Sequence, residues 1–321
     1  MKYLNLKNLR EIGVDWPQII NRLRVATRIL GQGDVVQPVK PYLRYKNLSN
    51  RIIAMPAYVG GEIATAGIKW IASFPKNIQS NIPRAHSVII LNEESTGIPI
   101  AVINTPLISG IRTAGVTGLL IEKYVENLKP GKLKFGIIGF GPIGQLHLEM
   151  IVGMFEGLIE KVYLFDITTI DIELVDSKYR HLVEISDTWQ DVYTNSKIFM
   201  TCTVSAAPYI DLAPQKGTFH LNISLRDYQA HLVKHMDKII VDNWEEICRE
   251  NTDIERMHLD FGLNRQDVVE IHDSLDGPFW ENLEQKVIMF NPMGMAAYDI
   301  AVGKYYLDKS LEKGIGLVLE D

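Results

Sequence analysis

The sequence is poor in cysteine, and it lacks long apolar runs, basic runs and low-complexity segments. Only Cys202 and Cys248 occur, far apart and without Cys-x-x-Cys spacing, which argues against disulfides and structural zinc and favours a reducing compartment. No stretch approaches the roughly 18 apolar residues that a membrane-spanning helix needs, and the first residues mix charges among leucines. We therefore expect a cytoplasmic protein with no export signal and no membrane partner.

Charge and composition narrow the function classes further. The formal net charge is -6 and there is no basic run, so a polyanion would meet net repulsion and no nucleic-acid partner is predicted. None of the eight histidines shows metal-ligand spacing, so no metal is predicted. The 46% of hydrophobic and 22% of charged residues are typical of a packed globular protein, and 321 residues favour two domains over one.

The first part of the chain is predicted to mix helices and strands. An amphipathic helix is predicted over Pro17 to Leu30. Short apolar runs predict strands of one sheet at Arg51 to Met55, Ile68 to Ala72 and Ser87 to Leu91. The segment SVIILNEESTGIPIAVI has two β-rich stretches around a polar turn at Gly97, which indicates an antiparallel hairpin, and a helix is expected from about Pro106 to Leu128.

After Lys129-Pro130-Gly131 the pattern changes to strand-like runs that alternate with helical ones. The strand-like runs are KFGIIGF, KVYLFD, KIFMTCT, TFHLNIS and KIIVD. This alternation predicts an α/β fold with a parallel, doubly wound Rossmann sheet. The tail MGMAAYDIAVGKYYLDKSL suits a helix that returns to the first domain. The predicted organisation is an α+β domain from residues 1–128 with 296–321, and a Rossmann domain from residues 129–295.

A glycine motif, GFGPIG, follows the first strand of the second domain and precedes a helix. Gly139 permits the tight turn, Gly141 lets a pyrophosphate approach the backbone, and Gly144 lets helix and strand pack closely. The helix start at Pro142 and Ile143 supplies amide donors and a partial positive charge. We therefore predict a dinucleotide site at these residues.

An acidic residue supports this prediction and selects the cofactor. Asp166 closes the next strand, about 20 residues further on, where a carboxylate accepts hydrogen bonds from a ribose diol. The same carboxylate would repel a 2′-phosphate, so the predicted cofactor is NAD and not NADP. The alternative is a glycine-rich turn beside a solvated aspartate, which must explain why strand, glycines, helix and acid coincide at the expected spacing.

The segments RIIAMP, GIKW, IRTA, GFGPIG and MGMAAYD occur in this order along the chain. Through them the sequence resembles the ornithine cyclodeaminase and mu-crystallin family over nearly its whole length. Within that family, QPVKPYLR, NRIIAMP, IKWI, TCTV, NIS and NPMGMA are similar to the N-(2-amino-2-carboxyethyl)-L-glutamate dehydrogenases. The resemblance implies an NAD-dependent dehydrogenase that acts on a CH-NH bond, and a homodimer made through a first domain that binds the substrate.

The resemblance further implies the reaction and its pathway. The substrate is oxidised to an imine, which water splits into 2-oxoglutarate and 2,3-diaminopropionate, a precursor of siderophores or peptide antibiotics. A pyridoxal-phosphate-dependent synthase would supply the substrate. The alternatives are an ornithine cyclodeaminase, a dehydrogenase or ketimine reductase for a simpler substrate, and a non-catalytic NAD(P)- or ligand-binding protein like mu-crystallin. The Pro-Gly-Lys turn of ornithine cyclodeaminases is replaced by YQAHL after Asp227, which counts against ornithine.

Several cations match substrate positions of the family. The substrate that the resemblance implies has three carboxylates, which need charge-assisted hydrogen bonds. Arg51, Lys69 and Arg112 lie at the substrate-binding positions of the family. The alternative for Arg51 and Lys69 is that each is an ordinary cation on the outward-facing side of a strand. Arg112 lies at a helix start, where a cation is unfavourable unless it faces a bound carboxylate. The segment QPVKPYLR adds three candidates for binding the outer carboxylates of the substrate: Gln37, Lys40 and Arg44. The alternative is that these three are ordinary surface residues.

Two residues are candidates for proton transfer. Asp227 ends a Rossmann strand and is predicted to be the base for water, with a solvated loop residue or a helix cap as the alternative. Lys69 either accepts the proton of the substrate amine, if burial lowers its pKa, or binds a carboxylate. The remaining cofactor candidates, for which capping or core packing is an equal alternative, are Thr113, Thr201, Thr203, Ser224, Met293 and Gly294.

Overall fold

The computed structural model describes residues 1–129 and 131–320, so Pro130 in the predicted break lies outside the described residues. The strands are β1 Lys2–Asn5, β2 Val35–Val36, β3 Tyr42–Leu43, β4 Arg51–Val59, β5 Thr65–Ser73, β6 Ala85–Glu93, β7 Pro99–Asn104, β8 Leu133–Ile138, β9 Ile159–Phe165, β10 Val183–Ile185, β11 Ile198–Thr201, β12 Phe219–Asn222, β13 Lys238–Val241, β14 Val269–Glu270, β15 Ile288–Asn291 and β16 Leu317–Val318. The α-helices are α1 Leu6–Ile12, α2 Trp16–Gly31, α3 Leu107–Leu128, α4 Pro142–Phe155, α5 Trp189–Asn195, α6 Trp244–Ile247, α7 Asp253–Phe261 and α8 Ala296–Lys313.

Contacts between residues divide the chain into two compact units. The first holds Met1–Gly115 and Gly294–Asp321, and the second holds Val116–Met293. The division therefore falls inside α3, whereas the sequence-predicted boundary lies at the end of that helix. The physical reason is that the second half of α3 packs within the second unit, where Tyr124 donates a hydrogen bond to the Gly217 carbonyl at 2.7 Å.

The first unit is built around a mixed sheet with the strand order β16-β1-β7-β6-β5-β4-β2, and β3 pairs with β4. Neighbouring strands are antiparallel except for β1 and β7, and β6 with β7 forms the predicted hairpin. Helix α8 packs on α2, β4, β5 and β6, so the end of the chain lies in this unit. Side chains alternate along β5, where Lys69 is buried on the α8 side and Trp70 is exposed on the other side.

The second unit contains a parallel sheet with the strand order β10-β9-β8-β11-β12-β15-β13-β14. The five predicted strands form β8, β9, β11, β12 and β13, and the fold is the predicted α/β Rossmann type. Strand β15 is absent from the prediction, although it is as long as β11, β12 and β13; it inserts between β12 and β13, to which it is not adjacent in sequence. Within the described residues, no helix combines the length and the apolarity that crossing a membrane requires.

The parallel topology determines where polar side chains gather in the second unit. The carboxyl ends of β8, β9, β11, β12 and β15 all reach the same edge of the sheet. The glycine motif follows β8 and Asp166 follows β9, while Thr201, Asn222 and Asn291 end the other three strands. This edge therefore collects most of the residues that the sequence assigns to the cofactor.

Candidate functional site

A buried cluster of charged side chains lies in the first unit between β5, α3 and α8. The Lys69 Nζ donates to Asp299 Oδ2 at 2.6 Å and to Ser109 Oγ at 3.0 Å. The Arg112 Nε donates to Asp299 Oδ1 at 3.1 Å. Asp299 is fully buried and Lys69 is only 1% exposed. One carboxylate is thus shared by two cations, which leaves positive charge in an enclosed place and suits an anionic ligand.

The electrostatic environment of the cluster perturbs both partners of the ion pair. Burial lowers the pKa of Lys69 to about 7, with contributions from the charges of Arg112 and Lys40, and Asp299 opposes this shift. Burial by itself raises the pKa of Asp299, but the charges of Arg112 and Lys69 outweigh it and hold that pKa below its ordinary value. Lys69 can therefore exchange a proton near neutral pH while the carboxylate beside it stays ionised.

A glycine turn closes one side of the cluster. Lys40 is buried, and its Nζ donates to the Gly294 carbonyl at 2.8 Å. Gly294 has a φ of +91°, and a Cβ at this position would lie 2.5 Å from the Arg112 guanidinium. The predicted residues Lys40, Lys69, Arg112 and Gly294 are therefore brought together. Any larger residue at position 294 would displace Arg112.

The other predicted substrate residues have different surroundings. The Gln37 Oε1 accepts the Ala297 backbone N-H at 3.0 Å, so Gln37 caps the start of α8. The guanidinium groups of Arg44 and Arg51 lie 5.4 and 5.7 Å from the centre of the Tyr42 ring. Both cations are thus in cation-π contact with the same ring. Tyr42 was not among the predicted site residues, although it lies within the QPVKPYLR segment.

The glycine turn of the second unit has the spacing that a dinucleotide requires. Gly139 has a φ of +88°, and a Cβ there would lie 2.6 Å from the Cys202 carbonyl. A Cβ at Gly144 would lie 2.1 Å from the Gly139 carbonyl, because helix and strand approach closely. Apart from the chain neighbours of Gly141, no atom of the described residues lies within 4 Å of a Cβ built on it, which leaves space above the start of α4, where Pro142 and Ile143 begin the helix. The turn therefore fits the pyrophosphate of NAD.

Asp166 is tied to this turn by hydrogen bonds. Its Oδ2 accepts the Phe140 backbone N-H at 2.7 Å, and its Oδ1 accepts both the backbone N-H and the hydroxyl of Thr168 at 2.9 Å. The end of β9 is thereby joined to the glycine motif after β8. This position is the one from which a carboxylate binds the adenosine ribose in a Rossmann fold.

Asp227 is fully buried in the second unit. Its carboxylate accepts hydrogen bonds from the hydroxyls of Thr203 and Ser224. The structure therefore brings together one predicted base and two predicted cofactor residues. Asp227 is therefore not a solvated aspartate, because its carboxylate is buried and is held by hydrogen-bond donors.

The remaining cofactor candidates and the cysteines take part in local contacts. The Thr201 hydroxyl donates to Asn222 Oδ1 at 3.1 Å, and the Thr113 hydroxyl donates to the Ser109 carbonyl at 2.7 Å within α3. Met293 packs against the core of the second unit. Both cysteines are partly buried, and burial raises their pKa, most strongly for Cys202. These thiols are therefore poor nucleophiles.

Four buried polar residues were not predicted: Asp299 beside Lys69 in the first unit, and Asn222, Asp253 and Asn291 in the second unit. Each is fully buried. A signal existed for Asp299, since an acid within the apolar run AAYDIAV is expensive to bury without a partner. The asparagines end apolar strands, which is also a recognisable position. Across the described residues, no group of three or more His, Cys, Asp or Glu side chains is arranged to hold a metal ion.

Comparison with known proteins agrees with this architecture. The chain is 34% identical over 334 aligned positions to the N-((2S)-2-amino-2-carboxyethyl)-L-glutamate dehydrogenase of Staphylococcus aureus, with 99% of this chain and 98% of that protein covered. The structure of a Thermococcus litoralis Delta(1)-pyrroline-2-carboxylate reductase in complex with NADH and L-proline matches with a TM-score of 0.86, 20% identity and coverage of 99% and 100%. An archaeal alanine dehydrogenase dimer with bound NAD matches with a TM-score of 0.82, 21% identity and coverage of 100% and 99%.

The sequence pattern of the ornithine cyclodeaminase/mu-crystallin family matches residues 10–314, almost the whole chain. This match and the full-length similarity to the staphylococcal dehydrogenase confirm the resemblance inferred from the motifs. The chain belongs to the ornithine cyclodeaminase/mu-crystallin family.

Proposed function

We propose that the chain oxidises N-(2-amino-2-carboxyethyl)-L-glutamate with NAD and releases 2,3-diaminopropionate and 2-oxoglutarate. The protein is an NAD-dependent oxidoreductase that acts on a CH-NH bond of an amino-acid substrate. One observation carries the finer proposal: the buried cation cluster of Lys69 and Arg112 occurs in a chain that is 34% identical to such a dehydrogenase over 99% of its length. A pyridoxal-phosphate-dependent synthase is the proposed supplier of the substrate, and siderophore biosynthesis a proposed use of the product.

The proposed reaction consumes one NAD and one water for each substrate. Bound NAD would supply the acceptor for the hydride of the glutamate Cα, and the amine nitrogen would lose its proton and form a C=N bond. Water adds to the carbon of this bond, and the C-N bond then breaks. The carbon leaves as the keto group of 2-oxoglutarate and the nitrogen as an amino group of 2,3-diaminopropionate. The other products are NADH and one proton.

The residues of the two units have distinct proposed roles in this reaction. Arg112 binds a substrate carboxylate, and neutral Lys69 accepts the proton of the substrate amine. Arg44, Arg51 and Lys40 are the proposed partners of the outer carboxylates. Asp227 is the proposed base for the attacking water.

The test of this proposal follows absorbance at the NADH band with purified protein and NAD. N-(2-amino-2-carboxyethyl)-L-glutamate, L-ornithine, L-alanine and buffer are compared in parallel. A rise with the first compound only, accompanied by 2-oxoglutarate, is expected. Proline formed from ornithine without net NADH would instead identify a cyclodeaminase. Turnover of L-alanine alone would identify a simpler dehydrogenase, and NAD binding without any turnover would identify a ligand-binding protein.

The glycine turn gives a prediction about cofactor binding. Gly141→Val is expected to raise the Kd for NADH at least tenfold without lowering the melting temperature, because the new side chain enters only the space above α4. Titration of NADH fluorescence and a thermal scan measure the two effects. Gly157→Val is the control, since a Cβ there also meets no atom within 4 Å but lies outside the motif. Unchanged NADH affinity in Gly141→Val would contradict the assignment.

A homodimer through the first unit is also proposed. On the sheet face opposite α8, Trp70 is 40% and Ile90 is 36% exposed. Ile68 pairs with Ile90, and Trp70 pairs with Val88, so these side chains form one continuous apolar surface. An exposed apolar surface of this kind on a sheet is expected to be covered by another protein chain. A second copy of this chain is the proposed partner, in keeping with the dimeric alanine dehydrogenase that shares the fold.

Trp70→Glu is expected to convert the dimer to a monomer, because a carboxylate in an apolar interface loses its hydration without gaining a partner. Sedimentation velocity measures the change in mass. Leu311→Glu is the matched control, since Leu311 is 61% exposed and lies on α8, on the other side of the sheet. A dimer that persists in Trp70→Glu would show that this face is not the interface.

A further inference from the structure

A buried carboxylate holds the loop that carries Asp227. Asp253 is the first residue of α7 and is fully buried. Its Oδ2 accepts hydrogen bonds from the backbone N-H groups of Asp227 and Tyr228 at 3.0 and 3.1 Å. The same oxygen accepts a hydrogen bond from Asn222 Nδ2 at 2.9 Å. The Asp253 backbone N-H donates to the Leu225 carbonyl at 2.8 Å. One residue therefore makes three hydrogen bonds to the backbone of residues 225–228.

The backbone of this loop is strained. Leu225 has a φ of +65°, a conformation that costs free energy for any residue with a branched or bulky side chain. The Leu225 N-H donates to Asn222 Oδ1 at 3.1 Å, and Asn222 is itself held by Asp253. The hydrogen bonds of Asp253 and Asn222 thus stabilise a backbone conformation that leucine does not favour by itself.

We propose that Asp253 is a positioning residue, which fixes the Asp227 carboxylate by accepting hydrogen bonds from the backbone N-H groups of Asp227 and Tyr228. The proposal rests on the proposed role of Asp227 in catalysis. Residues that hold a catalytic group need accurate geometry, since a displacement of about 1 Å can reduce the rate about 100-fold. Asp253 acts through the loop and has no contact with the reacting atoms.

The acceptor atom and not the charge of Asp253 is the essential feature. Burial raises the pKa of this carboxyl to about 6, while its hydrogen bonds oppose the shift. Among the described residues, Asp253 Oδ1 has no hydrogen-bond partner, so the hydrogen bonds from the Asp227 N-H, the Tyr228 N-H and Asn222 Nδ2 all use Oδ2. A neutral amide whose oxygen takes the place of Oδ2 keeps all three acceptor contacts. Asp253→Asn therefore preserves the positioning that Asp253→Ala removes.

The experiment compares Asp253→Asn, Asp253→Ala and Asp253→Ser with the wild-type chain. Hydrogen-deuterium exchange of residues 224–230 is measured in the free protein, and kcat, KM and the NADH Kd are measured with the substrate that the wild type oxidises. Asn243→Ala is the control, because it removes the cap of α6, where the Asn243 side chain accepts the Glu246 N-H, and leaves the hydrogen bonds of Asp253 in place. Asp253→Ser is the second variant, because serine keeps a polar group in the buried site and alanine does not.

Asp253→Ala and Asp253→Ser are expected to speed exchange in the loop at least tenfold and to lower kcat about 10- to 100-fold, with KM and the NADH Kd within twofold of wild type. Asp253→Asn should restore both exchange and kcat to within threefold. Fast exchange with unchanged kcat, or an asparagine variant as impaired as alanine, would overturn the proposal. Failure of the proposed function is a separate result, since it is seen as an inactive wild type while exchange still reports on the loop.

Discussion

Lys69→Met is expected to lower kcat/KM by about 1,000-fold while the NADH Kd stays unchanged. The side chain is buried, its amine lies 2.6 Å from Asp299, and methionine fills similar space without a proton acceptor or charge. Loss of a general base reduces rates by about 100- to 10,000-fold. Steady-state kinetics and NADH titration separate the two effects.

The control for this variant is Lys304→Met on α8. Lys304 pairs with Asp308 one turn away and is partly exposed, so its replacement should leave kcat/KM within twofold of wild type. Both variants are scanned for thermal unfolding, which separates loss of activity from loss of folded protein. Wild-type activity in a folded Lys69→Met would exclude Lys69 from the reaction.

The pH profile decides between the two roles of Lys69. The amine is neutral above its lowered pKa of about 7 and cationic below it. If it accepts the substrate proton, kcat/KM rises about tenfold per pH unit below pH 7 and is constant above. We expect this profile, with the dependence absent in Lys69→Met. A fall of kcat/KM above pH 7 would assign Lys69 to carboxylate binding instead.

Asp227→Asn is expected to reduce the release of 2-oxoglutarate at least 100-fold, because the proposed base for water is lost. Asparagine keeps the shape of the side chain and an acceptor for Thr203 or Ser224. Since water attacks after the hydride has left, a burst of NADH equal to the enzyme concentration should persist. Stopped-flow absorbance and chemical quench of 2-oxoglutarate measure the two steps.

Ser224→Ala is the matched control for this experiment. It removes one hydroxyl that donates to Asp227 but leaves the carboxylate, so a loss of less than tenfold is expected. Disappearance of the NADH burst in Asp227→Asn would show that Asp227 acts in or before hydride transfer. Equal losses in both variants would assign the effect to the hydrogen bonds and not to the base.

Much of the fold follows from local features of the sequence. The GFGPIG turn was predicted correctly because Gly139 and Gly144 stand where a side chain would collide with backbone. The strands of the parallel sheet could be predicted from apolar runs in the sequence, because a strand that is buried on both faces needs uninterrupted apolar residues. Strand β15 was not predicted, and its place between β12 and β13 could not be, since these neighbours in the sheet lie far away in sequence.

The grouping of the candidate substrate cations could be predicted only in part, because these residues were chosen by family position and not by their surroundings. Lys69 and Arg112 do lie together, but Gln37 is bound to the start of α8 and Arg44 shares the Tyr42 ring with Arg51. Such contacts depend on which strands and helices become neighbours. Sequence spacing alone carries no information about them.

The sequence by itself determined the Rossmann architecture, the glycine turn and the type of cofactor, because these depend on residues close together in the chain. Only the tertiary structure decided that Asp299 pairs with Lys69, which is 230 positions away, and that Asp253 holds the loop of Asp227. The physical reason is that a buried charge needs a partner, and the partner is supplied by whichever element packs against it. For Lys69 that element is α8, the helix formed by the end of the chain, and for the loop of Asp227 it is α7.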